Sequence, residues 1–282
     1  MEQTGLVLEG GGMRGIFTAG VLDWFLEAGI SVDQCIGVSA GACHACSYLS
    51  GQIGRGYDSF TKYMKDKRYC SIESFFTTGN LFGVDFIFET IPRELLPIDA
   101  ETFRNSRTKF QVVITNCLNG KPEYPEVKDA HEDVMYVRAS SSLPLISKPV
   151  MINGVPYLDG GVGDSVPILQ SEKQGNTKNI VVLTRDINYR KKKSSTMAIL
   201  KAVYKEYPEF VEQMESRHIR YNETLKYLRR REREGKVLII RPQKQLKIGR
   251  LERNEEKLYA TYRHGYYVAK RLNKKIRKFL ED

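Results

Sequence analysis

Two strand-turn-helix corners lie within the first 45 residues and constrain the fold more than any other feature. The first is Leu6-Val-Leu-Glu-Gly10-Gly11-Gly12-Met13-Arg14-Gly15, the second Cys35-Ile-Gly37-Val-Ser39-Ala-Gly41. Each runs from a short apolar stretch through glycine into a helical pattern. After the first corner, Phe17, Val21, Leu22, Phe25 and Leu26 recur at helical spacing, and Gly29 suits a C-cap. After the second, small residues over 40–49 permit a closely packed helix. Two such units in succession predict an α/β fold, with a mostly parallel sheet covered by helices.

Later segments extend this pattern. Strands are expected over 110–117, 179–183 and 237–241. A short helix is expected over 134–142, and helices over 197–207, 208–233 and 252–280. Residues 149–158 read as a hairpin around Asn153-Gly154, whose second arm ends at Asp159. The stretch 69–96, with Phe75, Phe76, Leu81, Phe82, Phe86, Ile87 and Phe88 broken by Gly79, Gly83 and Pro92, reads as a satellite core or an apolar lid. The chain's 282 residues suit one large domain or two small ones, divided here as 5–185 and a basic, mainly helical 186–282.

The turns carry candidate chemistry. In the first corner, Gly10, Gly11, Gly12, Met13, Arg14 and Gly15 bring backbone N–H groups to a helix start, where partial positive charge suits a developing oxyanion. Arg14 would fix the turn, favour an anionic substrate or remain a surface charge. The same residues fit G-x-G-x-x-G, a dinucleotide fingerprint. However, Asp33 precedes the second strand, whereas a ribose ligand belongs at its end. That end is occupied by Gly37-Val-Ser39-Ala-Gly41, which nucleotide binding does not require. Gly37 and Gly41 instead suit a strained elbow that raises the Ser39 hydroxyl above the sheet as a nucleophile. The plainer role for Ser39 is a helix cap.

A base is harder to find. Of the four histidines, His218 and His264 follow Asp159 but fall in charged helical patterns, and His44 lies one turn into the elbow helix. Asp159, followed by Gly160 and Gly161, is better placed. A free aspartate is a weak base for serine, and burial would raise its affinity for a proton. A Ser39–Asp159 dyad is the preferred reading; a self-bonded turn is the plainer one.

Taken together, the Gly10–Gly15 turn, Gly37-Val-Ser39-Ala-Gly41 and Asp159-Gly160-Gly161 resemble, in order, the three motifs of the patatin-like phospholipases. Ala139-Ser-Ser-Ser-Leu-Pro144 resembles a small-residue segment that precedes the aspartate motif in that family. The resemblance covers about residues 5–185. It implies a three-layer α/β/α fold, a Ser39–Asp159 dyad without histidine, an oxyanion site on the first turn, and hydrolysis of phospholipid or lysophospholipid acyl esters without metal or cofactor. An α/β-hydrolase fits less well, because the glycine turn follows the first strand, where that fold places strands earlier, and no histidine closes a triad.

A low-turnover lipid-binding or regulatory protein is the alternative, and a broad esterase or thioesterase a further one. Cys43-His-Ala-Cys46 lacks a second ligand pair, so neither zinc nor redox chemistry is expected. The five cysteines form no disulfide framework, no long apolar run is present, and Met1-Glu-Gln-Thr-Gly5 carries no basic leader signature, so a cytoplasmic protein is expected.

Charge is lopsided: 186–282 holds 27 basic against 13 acidic residues, while 1–185 holds 17 against 21. The basic excess thus appears remote from the glycine turns, and it suits anionic membrane better than nucleic acid, for which no recognition motif is present. Leu272, Ile276, Phe279 and Leu280, amid Lys274, Lys275, Arg277 and Lys278, form an amphipathic end that fits a membrane surface or the core.

Overall fold

The computed structural model describes residues 3–281; Met1, Glu2 and Asp282 lie outside them, and with them the first two residues of the Met1–Gly5 stretch. The strands are β1 (Gln3–Leu8), β2 (Gln34–Gly37), β3 (Lys109–Val112), β4 (Ile114–Asn116), β5 (Pro122–Glu123), β6 (Val150–Ile152), β7 (Val155–Asp159), β8 (Asn176–Val182) and β9 (Val237–Ile240). The helices are α1 (Ile16–Glu27), α2 (Ala40–Leu49), α3 (Arg55–Thr61), α4 (Ile72–Thr78), α5 (Ala100–Arg104), α6 (Val134–Ser141), α7 (Ile168–Lys173), α8 (Met197–Val203), α9 (Pro208–Arg233) and α10 (Glu255–Glu281).

Five strands form a parallel sheet in the order β3-β2-β1-β8-β9. β1 is central, and Leu6, Val7 and Leu8 are all fully buried because helices cover both faces. Leu6, Leu8, Ile180, Val182, Leu238 and Ile240 point into the layer formed with α1, α2 and α10. Val7, Val181, Val237 and Ile239 point the other way, onto Tyr221, Leu225 and Leu228 of α9. This period-two split produces the three-layer α/β/α arrangement. Each fully buried large aliphatic side chain contributes about 1.5–3 kcal/mol.

The last helix belongs to this core. Gly20 of α1 faces the Tyr262 carbonyl, and Gly265 of α10 faces that of Phe17, so closely that a Cβ would lie 2.0 or 1.9 Å from the oxygen. Tyr262 and Tyr266 hydroxyls donate to Asp23 and Glu27, each at 2.6 Å. Ile276 is fully buried, and Leu272, Phe279 and Leu280 pack beside it. The apolar side of the helix end is therefore turned inward, leaving Lys274, Lys275, Arg277 and Lys278 exposed.

The expected single strand over 110–117 is two strands in different sheets. Val113 donates its N–H to Gly37 (3.0 Å), ending the parallel register, and β4 then pairs antiparallel with β7. The second sheet, ordered β5-β4-β7-β6, holds the Asn153-Gly154 hairpin. Asp159, the last residue of β7, thereby reaches the carboxyl end of the main sheet. Residues 69–96 divide in character: Phe86 and Ile91 are buried in the main core, while Ile72 and Phe76 of α4 are exposed.

Candidate active site

The two corners stand side by side because β1 and β2 are paired, with Leu8 opposite Gly37. Ser39 has φ 54° and ψ −125°, a left-handed conformation that a non-glycine residue seldom adopts. The strain is held by packing on every side. Its N–H donates to the Ser140 hydroxyl (2.9 Å), and its carbonyl accepts from Ala42 and Cys43 at the start of α2. A Cβ on Gly10 would lie 2.9 Å from the Ser39 Cβ, and one on Gly41 2.7 Å from the Leu8 carbonyl oxygen. The Ser39 side chain makes no cap bond to α2.

The first turn continues as a short 3₁₀ segment from Gly12 to Gly15. Among the described residues, no hydrogen bond takes the N–H of Gly11 or Gly12, whereas Met13 donates to the Arg250 carbonyl (3.1 Å). Gly12 has φ 57°, and a Cβ there would lie 2.7 Å from the Arg250 oxygen. Arg14 and Gly15 are buried, and Gly15 lies against Ala40 and His44.

Asp159 is buried on the same cavity as Ser39. Its N–H donates to the Ser142 carbonyl (2.8 Å), and its Oδ1 accepts from Gly161 (2.7 Å). Oδ2 is buried without a formed hydrogen bond among the described residues, and the Ser39 hydroxyl is near enough to stabilise the carboxylate. Burial pushes the Asp159 pKa up; Arg217, then Ser39, oppose that rise. Gly160 donates to the Ser140 carbonyl (3.3 Å), so the end of α6 holds both the serine and the aspartate turns. That role of Ser140 was not read from the sequence. A run of serines before a proline names no partner until the two turns meet.

Among the described residues, no histidine side chain hydrogen-bonds Ser39 or Asp159. His44 is buried against Phe60, and desolvation lowers its pKa to about 3. His218 Nδ1 pairs with the Glu215 carbonyl, and His264 sits edge-on to Phe17. Cys43 and Cys46 line an apolar cleft. Burial pushes their thiols up to about 11 and 12, which leaves them protonated.

Ser39 separates two unlike cavities. On one side is an apolar cleft of about 160 Å³, walled by Phe82, Ile87 and Phe88 of the aromatic segment and by Val137 and Leu143. On the other, Arg14, Arg185, Lys191, Arg217 and Arg250 share a small cavity of about 40 Å³ with Ser39 and Asp159. The basic excess is thus not remote from the glycine turns, as its place in the sequence suggested. Long side chains from the loop after β8, from α9 and from the loop before α10 line this cavity.

A family profile described as Patatin-like phospholipase matches residues 6–171, and a second, described as a domain of unknown function, DUF6363, matches 207–281. The chain is 32% identical over 185 residues to uncharacterized protein YjjU of Escherichia coli (strain K12), covering 64% of this chain and 51% of that protein. It is 30% identical over 177 residues to lysophospholipase NTE1 of Candida glabrata, covering 62% of this chain and 10% of that protein. The chain thus matches about half of one curated relative and a tenth of the other. The crystal structure of VipD from Legionella pneumophila superimposes with a TM-score of 0.57 at 14% identity, over 96% of this chain and 67% of that one.

Proposed function

The chain belongs to the patatin-like phospholipase family, and we propose that it is a serine acyl hydrolase acting on fatty-acyl esters of phospholipids or lysophospholipids through a Ser39–Asp159 dyad. Family membership and similarity to proteins named lysophospholipases support lipid-ester hydrolysis. The observation that carries the dyad is the pairing of a strained Ser39 with the buried, unbonded Oδ2 of Asp159.

In this reading Ser39 Oγ attacks the ester carbonyl while its proton passes to Asp159. The N–H groups of Gly11 and Gly12 receive the oxyanion; one such donor is worth about 10²–10³ in rate. The tetrahedral intermediate collapses, Asp159 returns the proton to the leaving alcohol, and an acyl-serine remains. Asp159 then takes a proton from water, which attacks the acyl-serine, and returns that proton to Ser39 Oγ as the fatty acid leaves. The apolar cleft beside Ser39 suits the acyl chain.

No helix among the described residues is long and apolar enough to cross a membrane. The proposed setting is cytoplasmic, with contact to anionic membrane through exposed basic side chains, each worth about 1 kcal/mol near the surface. The apolar residues at the end of α10 play no part in that contact, since they pack inward.

Hydrolysis of p-nitrophenyl acyl esters and phospholipid vesicles tests the reading. Ser39→Ala and Asp159→Asn should lose turnover, and a His218→Ala/His264→Ala double variant should keep it. Loss in a folded histidine variant would replace the dyad by a triad. Absence of turnover by the wild type on every ester would favour the low-turnover lipid-binding alternative.

A further inference from the structure

The small cavity beside Ser39 and Asp159 holds five cations and two carboxylates. Two carboxylates balance less than half of the five positive charges. Glu9 Oε2 accepts from the Thr184 N–H and Glu9 Oε1 from the Tyr221 hydroxyl, both at 2.6 Å, and Asp159 is the base of the proposed dyad. Among the described residues, none of the five cations has a carboxylate within ion-pairing distance, and Arg14, 6% exposed, has its Nε buried without a hydrogen bond. The Arg217 Nε is likewise buried and unbonded among the described residues, and its Nη2 donates to the Ser165 hydroxyl at 3.4 Å.

The cations are fixed from behind. The Met13 N–H donates to the Arg250 carbonyl, so the loop that presents Arg250 is tied to the glycine turn itself. Asn222 of α9 grips both the N–H and the carbonyl of Lys191, each at 2.9 Å. These groups repel one another at close range. Burial first, then Arg217, Arg250 and Arg185, lower the Lys191 pKa to about 7, and burial with Arg185 and Arg250 lowers that of Arg14 to about 10. A cluster in which five cations, Arg14 buried and Arg250 at the exposed rim, outnumber two carboxylates and open onto a nucleophile suits an anion.

We infer that this wall receives the phosphate of the substrate headgroup, and that the preferred substrates are acyl esters whose phosphate carries no balancing ammonium. The inference rests on the hydrolase reading and adds the substrate class. A choline or ethanolamine headgroup would bring its ammonium into a cationic wall. Two aromatic faces beside this wall are already covered, with Arg185 over Tyr189 and Lys191 over Tyr221, each 4.3 Å from the ring centre. The acyl chain lies in the apolar cleft on the far side of Ser39, so the ester spans the two cavities. Arg185, Lys191, Arg217 and Arg250 all lie beyond the stretch matched by the phospholipase profile. Four of the five cations are therefore supplied from outside that stretch.

The test uses three esters of the same oleoyl chain: 1-oleoylglycerol 3-phosphate, 1-oleoylglycerophosphocholine and monooleoylglycerol. Wild type should favour the first over the second by about tenfold or more in kcat/KM, chiefly through KM. In a Lys191→Gln/Arg250→Gln variant that ratio should fall to about one, and Lys191→Arg/Arg250→Lys should keep most of it. Inorganic phosphate should raise KM for the phosphate-bearing ester. Equal kcat/KM on all three esters would overturn the inference and leave the hydrolase reading standing. If that equality came with phosphate altering kcat on monooleoylglycerol, the cavity would serve a free anion. Binding to the Ser39→Ala protein, measured by calorimetry, separates the two readings. Selective binding of the phosphate ester without wild-type turnover would uphold the anion wall and remove the hydrolase; unselective binding would remove the wall.

Discussion

The two walls flanking Ser39 are built by different means. The wall that holds Ser39 and Asp159 is backbone: two tight turns after adjacent parallel strands, a hairpin end, and N–H groups aimed by glycine. The opposite wall is side chain: Arg185 and Lys191 reach in from the loop after β8, Arg217 from a long helix and Arg250 from the loop before α10. Backbone placement demands small residues at fixed spacing, so it tolerates little change. A wall of long cations can change composition while the fold stays intact. The proposed chemistry and the proposed headgroup preference should therefore separate under mutation.

The largest effects should fall on the backbone wall. Ser39→Ala and Asp159→Asn should each lower kcat on any ester by about 10³–10⁶-fold, by analogy with other serine hydrolases. A milder probe is Gly10→Ala, whose new methyl would lie 2.9 Å from the Ser39 Cβ. Displacing the nucleophile should lower kcat by about 10²-fold, with the circular dichroism spectrum unchanged. An active Gly10→Ala would break the contrast between the walls.

Smaller effects sharpen it. Ser140→Ala removes the acceptor of the buried Ser39 N–H, so unfolding free energy should fall by about 1–3 kcal/mol, with kcat down by about tenfold. Arg217 joins the two walls, because its charge opposes the rise in the Asp159 pKa. The base acts deprotonated, so kcat/KM on a neutral ester should increase with pH through that raised pKa. Arg217→Gln should move this acid limb to higher pH; a shift to lower pH would contradict the electrostatic account. Least affected should be Lys274→Gln/Lys275→Gln on the outer face of α10. Turnover of a monomeric ester should stay within about twofold, while affinity for anionic vesicles falls about fivefold per charge.

The same contrast explains what the sequence revealed. The parallel sheet was legible because buried aliphatic runs alternate with helical spacing, and Gly10, Gly37 and Gly41 mark places where a Cβ would collide with backbone or side chain. The hairpin was legible from Asn153-Gly154. The break at Val113 was not, because Phe110-Gln-Val-Val-Ile-Thr-Asn reads as one continuous strand; only pairing with two different sheets divides it. The cationic wall was illegible for a related reason. Arg217 is one of many basic residues on α9, and nothing local distinguishes it from the exposed Arg230 or Arg233. The basic excess after residue 185 was visible, but its inward turn depends on how α9 and the loop before α10 lie across the sheet.

Labelling with a fluorophosphonate ester, followed by peptide mass mapping, tests the central claim most directly. The account predicts a single adduct on the peptide containing Ser39, abolished in Ser39→Ala and slowed by at least about 10²-fold in Asp159→Asn. An adduct on another residue, or an unchanged rate in Asp159→Asn, would contradict it.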